Sequence, residues 1–365
     1  MAGRLASTSD VWTPIDISAF VREGSSDEEL DQVAREVSHA FETKGFLLIS
    51  DHGVDAGIVA AVETAALAFF ALPDDVKKEC FLNRAPVPRG YSACGKENFA
   101  ILSLKNQRKP NDLVEKFRMG PLQVDATDDY FTASKDAQMM FYPNKWPSPD
   151  DMLLQDAMER YYLAMDALSA VLLRIFARCL DLPQNFFAAK MTRHTSIFSV
   201  NYYPAMDQVR QQIQPGQLRL AQHTDVDLFT IVRPDMADAF GCLQIEVASD
   251  TGSTWLSVPA VPDTFIVNLG DCLKYWTNDR WMSTSHRVVN PPVDSPTTSR
   301  ISMAYFVGAN YDATLDCLPT CCVDGCRHHG DSLKTYVEWR KGRVRQAMEQ
   351  LKSTPVSTKK PHMAR

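Results

Sequence analysis

Three residues of this 365-residue sequence have the types and spacing of a metal site, namely His223, Asp225 and His286. His223 and Asp225 follow a strand-like segment, and in an extended chain the side chains of residues i and i+2 project to the same side. A later strand-like segment supplies the second histidine. Two imidazoles and one carboxylate form the facial triad of non-haem Fe(II) centres, which leaves coordination positions open for substrate and O2. A closed structural zinc site would not leave that space.

Two residues that follow the second histidine could hold a carboxylate. Arg300 and Ser302 alternate on a predicted strand and therefore face the same way. The planar guanidinium donates bidentately to carboxylates, and the serine hydroxyl adds another donor. Residues 201–204, N-Y-Y-P, lie about twenty positions before His223. Because an H-x-D tripeptide alone is weak evidence, the prediction depends on this ordered set.

The elements that must position these residues divide the chain into a helical part and a strand-rich part. Ser26 and Glu29 form a capping box at the start of one helix, whose apolar face repeats at spacings of three and four. The longest helical pattern covers residues 151–180. After Pro183, short apolar or alternating segments separated by turn residues predict a sandwich or a jelly roll.

Composition and charge limit the classes of function. The net charge is −7 and the pI about 5.6, without a basic block, so the chain lacks the electrostatic footprint for nucleic acid or an anionic membrane. No apolar run approaches the roughly 20 residues needed to cross a bilayer, and the start does not resemble a signal peptide. Nine cysteines, an odd number in a long chain, favour reduced thiols. We therefore expect a cytoplasmic protein.

The order of the motifs resembles a known family. N-Y-Y-P, H-T-D, N-L-G-D, H-R-V-V-N-P and R-I-S resemble the isopenicillin N synthase-like family of Fe(II)/2-oxoglutarate-dependent dioxygenases, and the match covers roughly residues 13–308. The opening segment also matches, with I-D-I, K-G-F and H-G-V. The resemblance implies a mainly β fold with flanking helices. Its core is a distorted double-stranded β-helix, a jelly roll, wrapped by N-terminal and long central helices.

The resemblance implies roles for the metal-site and carboxylate-site residues. His223, Asp225 and His286 match the iron ligands of the family. Arg300 and Ser302 match the pair that binds the distal carboxylate of 2-oxoglutarate. The implied cofactors are Fe(II), 2-oxoglutarate and O2, with ascorbate in a supporting role.

Further residues and the reaction follow from the same resemblance. Tyr203 matches a tyrosine that supports the distal carboxylate, and Asn201 matches a residue lining the iron pocket. Residues 268–271, N-L-G-D, receive a structural role only. The implied reaction is hydroxylation, desaturation or oxidative cyclisation of a small molecule, in specialised-metabolite biosynthesis.

The predicted organisation has five parts. Residues 1–125 form an N-terminal α/β region packed on the core, and residues 126–190 a loop and a long buttressing helix. Residues 191–310 form the catalytic jelly roll. Residues 311–352 form a cysteine-rich loop and a C-terminal lid helix, and residues 353–365 a disordered tail. We expect a monomer or a weak homodimer.

Substrate contacts are expected in the N-terminal loops, at the end of the R-I-S strand and in the C-terminal helix. The cations among the candidates favour an anionic or amino-acid-like substrate. The candidates are Tyr91, Lys96, Phe117 and Phe306, followed by Leu104, Arg108, Glu115 and Trp339.

Several alternatives stay open at this point. Asp227 is expected to be a turn or surface carboxylate rather than a spare ligand, because the triad is already complete. The cysteines and histidines of residues 317–329 favour a loop of reduced thiols over a zinc knot, since their spacing fits no standard pair. The alternative functions are an Fe(II) oxidase that uses O2 without 2-oxoglutarate, a non-catalytic ligand-binding relative and a zinc hydrolase.

Overall fold

The computed structural model describes most of the chain. The described residues are 12–81, 87–103, 109–122, 124–147, 153–209, 213–238, 240–249, 252–292, 298–322, 325–326 and 333–353. The predicted disordered tail, residues 353–365, lies outside these ranges apart from Ser353.

The helices precede, flank and follow the strand-rich part. They are α1 (Ser18–Val21), α2 (Asp27–Thr43), α3 (Ala56–Phe70), α4 (Asp74–Lys78), α5 (Asp129–Thr132), α6 (Lys135–Met140), α7 (Leu153–Cys179), α8 (Met206–Val209), α9 (Asp271–Trp276) and α10 (Tyr336–Ser353). The predicted capping box at the start of α2 is confirmed. Ser26 Oγ accepts from the Glu29 amide, and the Glu29 carboxylate accepts from the Ser26 amide at 2.8 Å.

Twelve strands are formed by the described residues. They are β1 (Ile15–Asp16), β2 (Phe46–Ser50), β3 (Gly90–Ser92), β4 (Glu115–Met119), β5 (Ile197–Tyr203), β6 (Leu220–His223), β7 (Phe229–Arg233), β8 (Leu243–Ser249), β9 (Gly252–Ser257), β10 (Phe265–Leu269), β11 (His286–Val288) and β12 (Arg300–Val307).

These strands form a large and a small sheet. The large sheet has eight strands in the order β1-β2-β10-β7-β12-β5-β4-β3, and the small sheet has four in the order β6-β11-β8-β9. Strands that neighbour one another in space are mostly distant in sequence and antiparallel, as in a jelly roll. The expected mainly β fold with flanking helices is confirmed.

The large sheet has an outer face and an inner face. Helix α7 covers the outer face, where Tyr161 packs on Phe198 with ring centroids 4.7 Å apart and Phe176 packs on Phe229 at 5.0 Å. The inner face encloses a second core with the small sheet, made by side chains that include Phe46, Val114, Tyr203, Ile245 and Val288. Directly paired residues of adjacent strands project to the same face, so the register decides which polar groups lie inside.

Within the described residues, no helix is long and apolar enough to span a membrane.

Candidate active site

The predicted metal ligands meet where β6, an edge strand of the small sheet, pairs with β11. His223 ends β6 and His286 begins β11, and these two residues are direct antiparallel partners. Asp225 follows β6 two residues later. Its Oδ1 atom lies 3.7 Å from Nε2 of His223 and 3.8 Å from Nε2 of His286. The three side chains are buried, and one potential ligand atom from each lies within 4.8 Å of the others.

Backbone carbonyls fix which nitrogen of each imidazole is free. Nδ1 of His223 donates to the Ala221 carbonyl at 2.8 Å, and Nδ1 of His286 donates to the Thr284 carbonyl at 3.1 Å. A carbonyl oxygen can only accept, so each Nδ1 carries a proton, and in the neutral imidazole the lone pair is then on Nε2. Burial, together with the neighbouring His286, lowers the pKa of His223. The neutral imidazole is the form that binds a metal.

Two hydrogen bonds orient the carboxylate of Asp225. Oδ2 accepts from Thr230 Oγ1 at 2.5 Å and from Asn268 Nδ2 at 2.7 Å, which leaves Oδ1 directed at the imidazoles. Burial on its own would raise the pKa of Asp225, but the two histidines and these two donors hold it below its usual value. The carboxylate therefore stays ionised, as a ligand must.

Sequence reasoning missed both of these donors. Asn268 belongs to the N-L-G-D stretch, to which only a structural role is assigned from the sequence. Its place in that motif was the signal that could have indicated a role in the site. Thr230 lies in β7 and carried no signal, because only the pairing of β7 with β10 brings it opposite Asn268.

The predicted carboxylate-binding residues form two cross-strand pairs on the inner face. Arg300 of β12 lies opposite Tyr203 of β5, and Ser302 lies opposite Asn201. Arg300 Nε donates to Asp238 Oδ2 at 2.9 Å, and its guanidinium carbon lies 5.1 Å from the centre of the Tyr203 ring.

Part of the Arg300 guanidinium lacks a partner. The Nη1 atom is buried and makes no hydrogen bond to any described residue. An orphaned, buried cationic donor is costly unless a ligand satisfies it, and a carboxylate is the matching acceptor. Asp238, which sequence reasoning did not single out, holds the opposite edge of the guanidinium.

Tyr91, Phe117 and Glu115 lie on the outer face of the large sheet, away from the metal ligands. Tyr91 donates to Glu115 Oε2 at 2.6 Å, and the Phe117 ring packs on Phe69 of α3 with centroids 4.9 Å apart. The structure therefore does not bring the proposed substrate contacts Tyr91 and Phe117 into the metal pocket. The reason is register, since odd-numbered positions of β4 face the helices and even-numbered positions face inward.

The other substrate candidates have different surroundings. Lys96 is exposed. Phe306 is partly buried opposite Thr230, so it shares the inner face with the metal ligands. Trp339 is buried in α10 against Tyr275. Leu104 and Arg108 lie outside the described residues.

Asp227 is neither a spare ligand nor a surface group. It is buried and accepts hydrogen bonds from Tyr336 Oη at 2.6 Å and Arg340 Nε at 2.8 Å. Asp227 lies in the bend between β6 and β7, as the expectation of a turn carboxylate allows, but it is not a surface group, because α10 packs over this position and uses Asp227 as its anchor.

The cysteine-rich segment differs from the expectation of reduced thiols. Cys317 and Cys322 form a disulfide, and Cys326 lies close enough for its Sγ to be within 4.8 Å of both sulfurs. His328 and His329 lie outside the described residues.

A 3-10 turn, Phe99–Leu102, covers the metal-binding side chains. The Phe99 ring packs edge-on against the His223 ring, with centroids 5.0 Å apart. Asp112 fixes the turn, because its carboxylate accepts from the Phe99 amide at 2.7 Å and from the Ala221 amide at 2.8 Å. One side chain thus joins the covering turn to the strand that carries His223.

The last helix reaches the same turn through Arg343. This residue donates to the Leu102 carbonyl at 2.9 Å and to Thr224 Oγ1 at 3.1 Å, and it pairs with Asp271 at 2.7 Å. Helix α10 therefore contacts both the covering turn and the H-T-D tripeptide.

Comparison with known proteins identifies the family. Residues 14–149 match the model described as non-haem dioxygenase in morphine synthesis N-terminal, and residues 194–309 match the 2OG-Fe(II) oxygenase superfamily. The chain is 32% identical to validamycin A dioxygenase of Streptomyces hygroscopicus subsp. limoneus, over 82% of this chain and 78% of that protein. The chain belongs to the 2OG-Fe(II) oxygenase superfamily. It is also 31% identical to 2-oxoglutarate-dependent dioxygenase htyE of Aspergillus rugulosus, over 88% of this chain and 94% of that protein.

Solved structures agree with this family. A full-length Neurospora crassa protein in complex with alpha-KG is 25% identical, with a TM-score of 0.74 and coverage of 92% of this chain and 96% of that chain. A 2OG-Fe(II) oxygenase family protein from Caulobacter crescentus, at 24% identity and a TM-score of 0.74, covers 92% and 98% and supports the fold. This 2OG-Fe(II) oxygenase is therefore an enzyme that uses Fe(II) and 2-oxoglutarate. The free Nε2 atoms and the Asp225 carboxylate fit the metal. The alternative of an oxidase without 2-oxoglutarate is not favoured.

Proposed function

We propose that this enzyme oxidises a small molecule of specialised metabolism at an Fe(II) ion held by His223, Asp225 and His286. The oxidation is a hydroxylation, a desaturation or an oxidative cyclisation. The observation that carries the proposal is the arrangement of the ligand atoms. Two imidazole Nε2 atoms with free lone pairs face one oxygen of a carboxylate whose other oxygen is occupied. Bound Fe(II) supplies the activation of O2 at its open positions.

We further propose that Arg300 holds the distal carboxylate of 2-oxoglutarate, with Ser302 and Tyr203 as additional donors and Asn201 lining the pocket. The free Nη1 of Arg300 supports this role, as does the Tyr203 phenol beside it. Burial raises the pKa of Tyr203 to about 12, so its hydroxyl stays protonated and can donate. Asp238 keeps the guanidinium in place while its other edge receives the cosubstrate.

The names of the relatives support a role in specialised metabolism. One relative is named validamycin A dioxygenase, and another, proline hydroxylase buaE of Petromyces alliaceus, is 29% identical over 82% of this chain and 88% of that protein. Both names describe oxidation of a small molecule. A substrate of that size suits a site that lies between two sheets beneath a short covering turn.

The test measures succinate and oxidised product with Fe(II), 2-oxoglutarate and O2, using extracts of the source organism as the pool of substrates. We expect equal amounts of succinate and product. Product formed without succinate would contradict the role of 2-oxoglutarate. His223→Ala should abolish both products.

A matched pair of arginine variants separates cosubstrate binding from general damage. Arg300→Met should raise the 2-oxoglutarate concentration needed for turnover, by about 100-fold for a lost charge-assisted pair. Arg287→Met is the control, because Arg287 belongs to the small sheet and contacts Gln244 and the Trp255 ring instead. Equal behaviour of the two variants would exclude the proposed role of Arg300.

A cytoplasmic location and a monomeric or weakly dimeric state stay predictions, which cell fractionation and size-exclusion chromatography can test.

A further inference from the structure

Lys116 is a cation on the inner face of the large sheet, close to the metal ligands. It lies in β4 opposite Asn201 of β5, which in turn lies opposite Ser302 of β12. These three residues form one cross-strand row and project to the same face. The lysine is only 3% exposed, although a buried ammonium is normally found paired.

The ammonium of Lys116 is incompletely paired. Within the described residues, the carboxylate oxygen closest to Nζ is Oε2 of Glu97, at 3.8 Å, which is too long for a hydrogen bond. Glu97 is already engaged by Arg118, whose two terminal nitrogens each donate to one of its oxygens at 2.5 Å. Glu97 therefore has its own partner and only partly offsets the charge of Lys116.

The covering turn places this ammonium next to the metal site. Nζ of Lys116 lies 3.5 Å from the centre of the Phe99 ring, and the same ring packs against His223. A cation–π contact compensates for part of the lost hydration but supplies no hydrogen-bond acceptor. The three N–H donors of the ammonium thus border the metal pocket without a full set of acceptors.

We propose that Lys116 binds a carboxylate of the substrate and thereby positions the carbon that is oxidised. This inference rests on the proposed function. A substrate carboxylate would complete the pairing of a buried cation, which is the contact most favoured at such a site. Burial lowers the pKa of Lys116 to about 7 despite the opposing effect of Glu97, so a second anion would further stabilise the charged form.

The cosubstrate does not account for this cation. The distal carboxylate of 2-oxoglutarate is assigned to Arg300 and Ser302 on β12, whereas Lys116 lies on β4, two strands away. Adjacent strands are about 4.8 Å apart, so the backbones of these positions are separated by roughly 10 Å. Two carboxylates can therefore bind in the same pocket at different ends.

The experiment measures binding of matched charged and neutral probes to the anaerobic holoenzyme saturated with Fe(II) and 2-oxoglutarate. The probes are two pairs: phenylacetate with phenylacetamide, and cyclohexanecarboxylate with its carboxamide. Ligand-observed NMR measures the binding of each probe. The wild type should bind each carboxylate about tenfold more tightly than its amide. Lys116→Met should lose that preference, and Lys116→Arg should retain part of it.

Two controls make the result decisive. Lys116→Met should fold, because Glu97 keeps its ion pair with Arg118. An unchanged absorption band of the Fe(II)–2-oxoglutarate chelate checks in the same samples that the variant is folded. Lys96→Met removes an exposed lysine of the same region and should keep the wild-type preference. No charge preference in the wild type, a preference that survives Lys116→Met, or weakened 2-oxoglutarate binding in that variant would each overturn the proposal. Absence of the chelate band in the wild type would instead refute the proposed function.

Discussion

Replacing Asn268 should weaken metal binding although Asn268 is not a ligand. Its amide nitrogen donates to Oδ2 of Asp225 at 2.7 Å, in a site where Asn268 is 2% exposed and water does not replace a lost donor. A hydrogen bond to a charged group contributes about 1.5–3 kcal/mol, which corresponds to about 10- to 150-fold in an equilibrium constant. This range agrees with the roughly 10–100-fold loss of metal affinity that follows removal of groups hydrogen-bonded to metal ligands. We expect Asn268→Leu to lose affinity in this range.

The assay is an anaerobic titration with Fe(II), and with Mn(II) as a redox-inert probe, in competition with a chromophoric chelator. Asn268→Asp should bind metal less tightly than Asn268→Leu, because a second carboxylate against Asp225 favours a proton shared between the two over a bound cation. Asn310→Ala is the control, since Asn310 is also buried but donates to Ala189 and Thr192 instead. Wild-type metal affinity in Asn268→Leu would refute the idea that this donor orients Asp225.

Three further predictions concern the metal, the covering turn and a buried ion pair. Free Mn(II) at 100 times its Kd should stabilise the fold by about 2.7 kcal/mol, raising the melting temperature of the wild type but not of His223→Ala. Arg343→Met should speed hydrogen exchange in the Phe99–Leu102 turn, because it removes the bond to the Leu102 carbonyl, whereas the exposed Arg345→Met should not. Burial would raise the pKa of Glu97, but Arg118 and Lys116 hold that pKa well below its ordinary 4.5. The ionised carboxylate of Glu97 therefore stabilises the fold above pH 4.5, and this contribution is lost as the pH falls below 4.5. Glu97→Gln should therefore unfold at lower denaturant concentration at pH 7 and lose less stability than the wild type on acidification; parallel pH profiles would contradict this.

The sequence was sufficient for the fold class and for the three residues that meet at the proposed metal site. His223 and Asp225 were predicted from alternation in an extended chain, a local rule, and His286 from its place in an ordered set of motifs. The faces of β4 could not be predicted in the same way. Tyr91 and Phe117 are aromatic residues near a loop-rich segment, which is typical of a substrate site, but the register of β4 against β5 turns Phe117 outward and Lys116 inward. A shift of one residue would have exchanged them.

Long-range contacts explain the other differences. Asp227 lies two residues after a metal ligand, and only the packing of α10, more than a hundred residues later in the chain, makes it a buried anchor. Thr230 and Asn268 acquire their role because β7 pairs with β10. Such contacts depend on which strands become neighbours, which periodicity within one segment does not determine.

An irregularity in the pairing of β6 with β11 shows how the fold sets the position of the ligands. His286 lies opposite His223, but Val288, two residues further, lies opposite Leu220, three residues back. One extra residue on β6 is the count of a β-bulge, a feature that is frequent beside active sites because it redirects a side chain. Regular pairing through Val288 and Leu220 would place Gln222 opposite His286 and remove His223 from that position. The bulge therefore lets Leu220 and Val288 fill the inner core while both imidazoles face Asp225, so that core packing and the proposed metal binding depend on the same two strands.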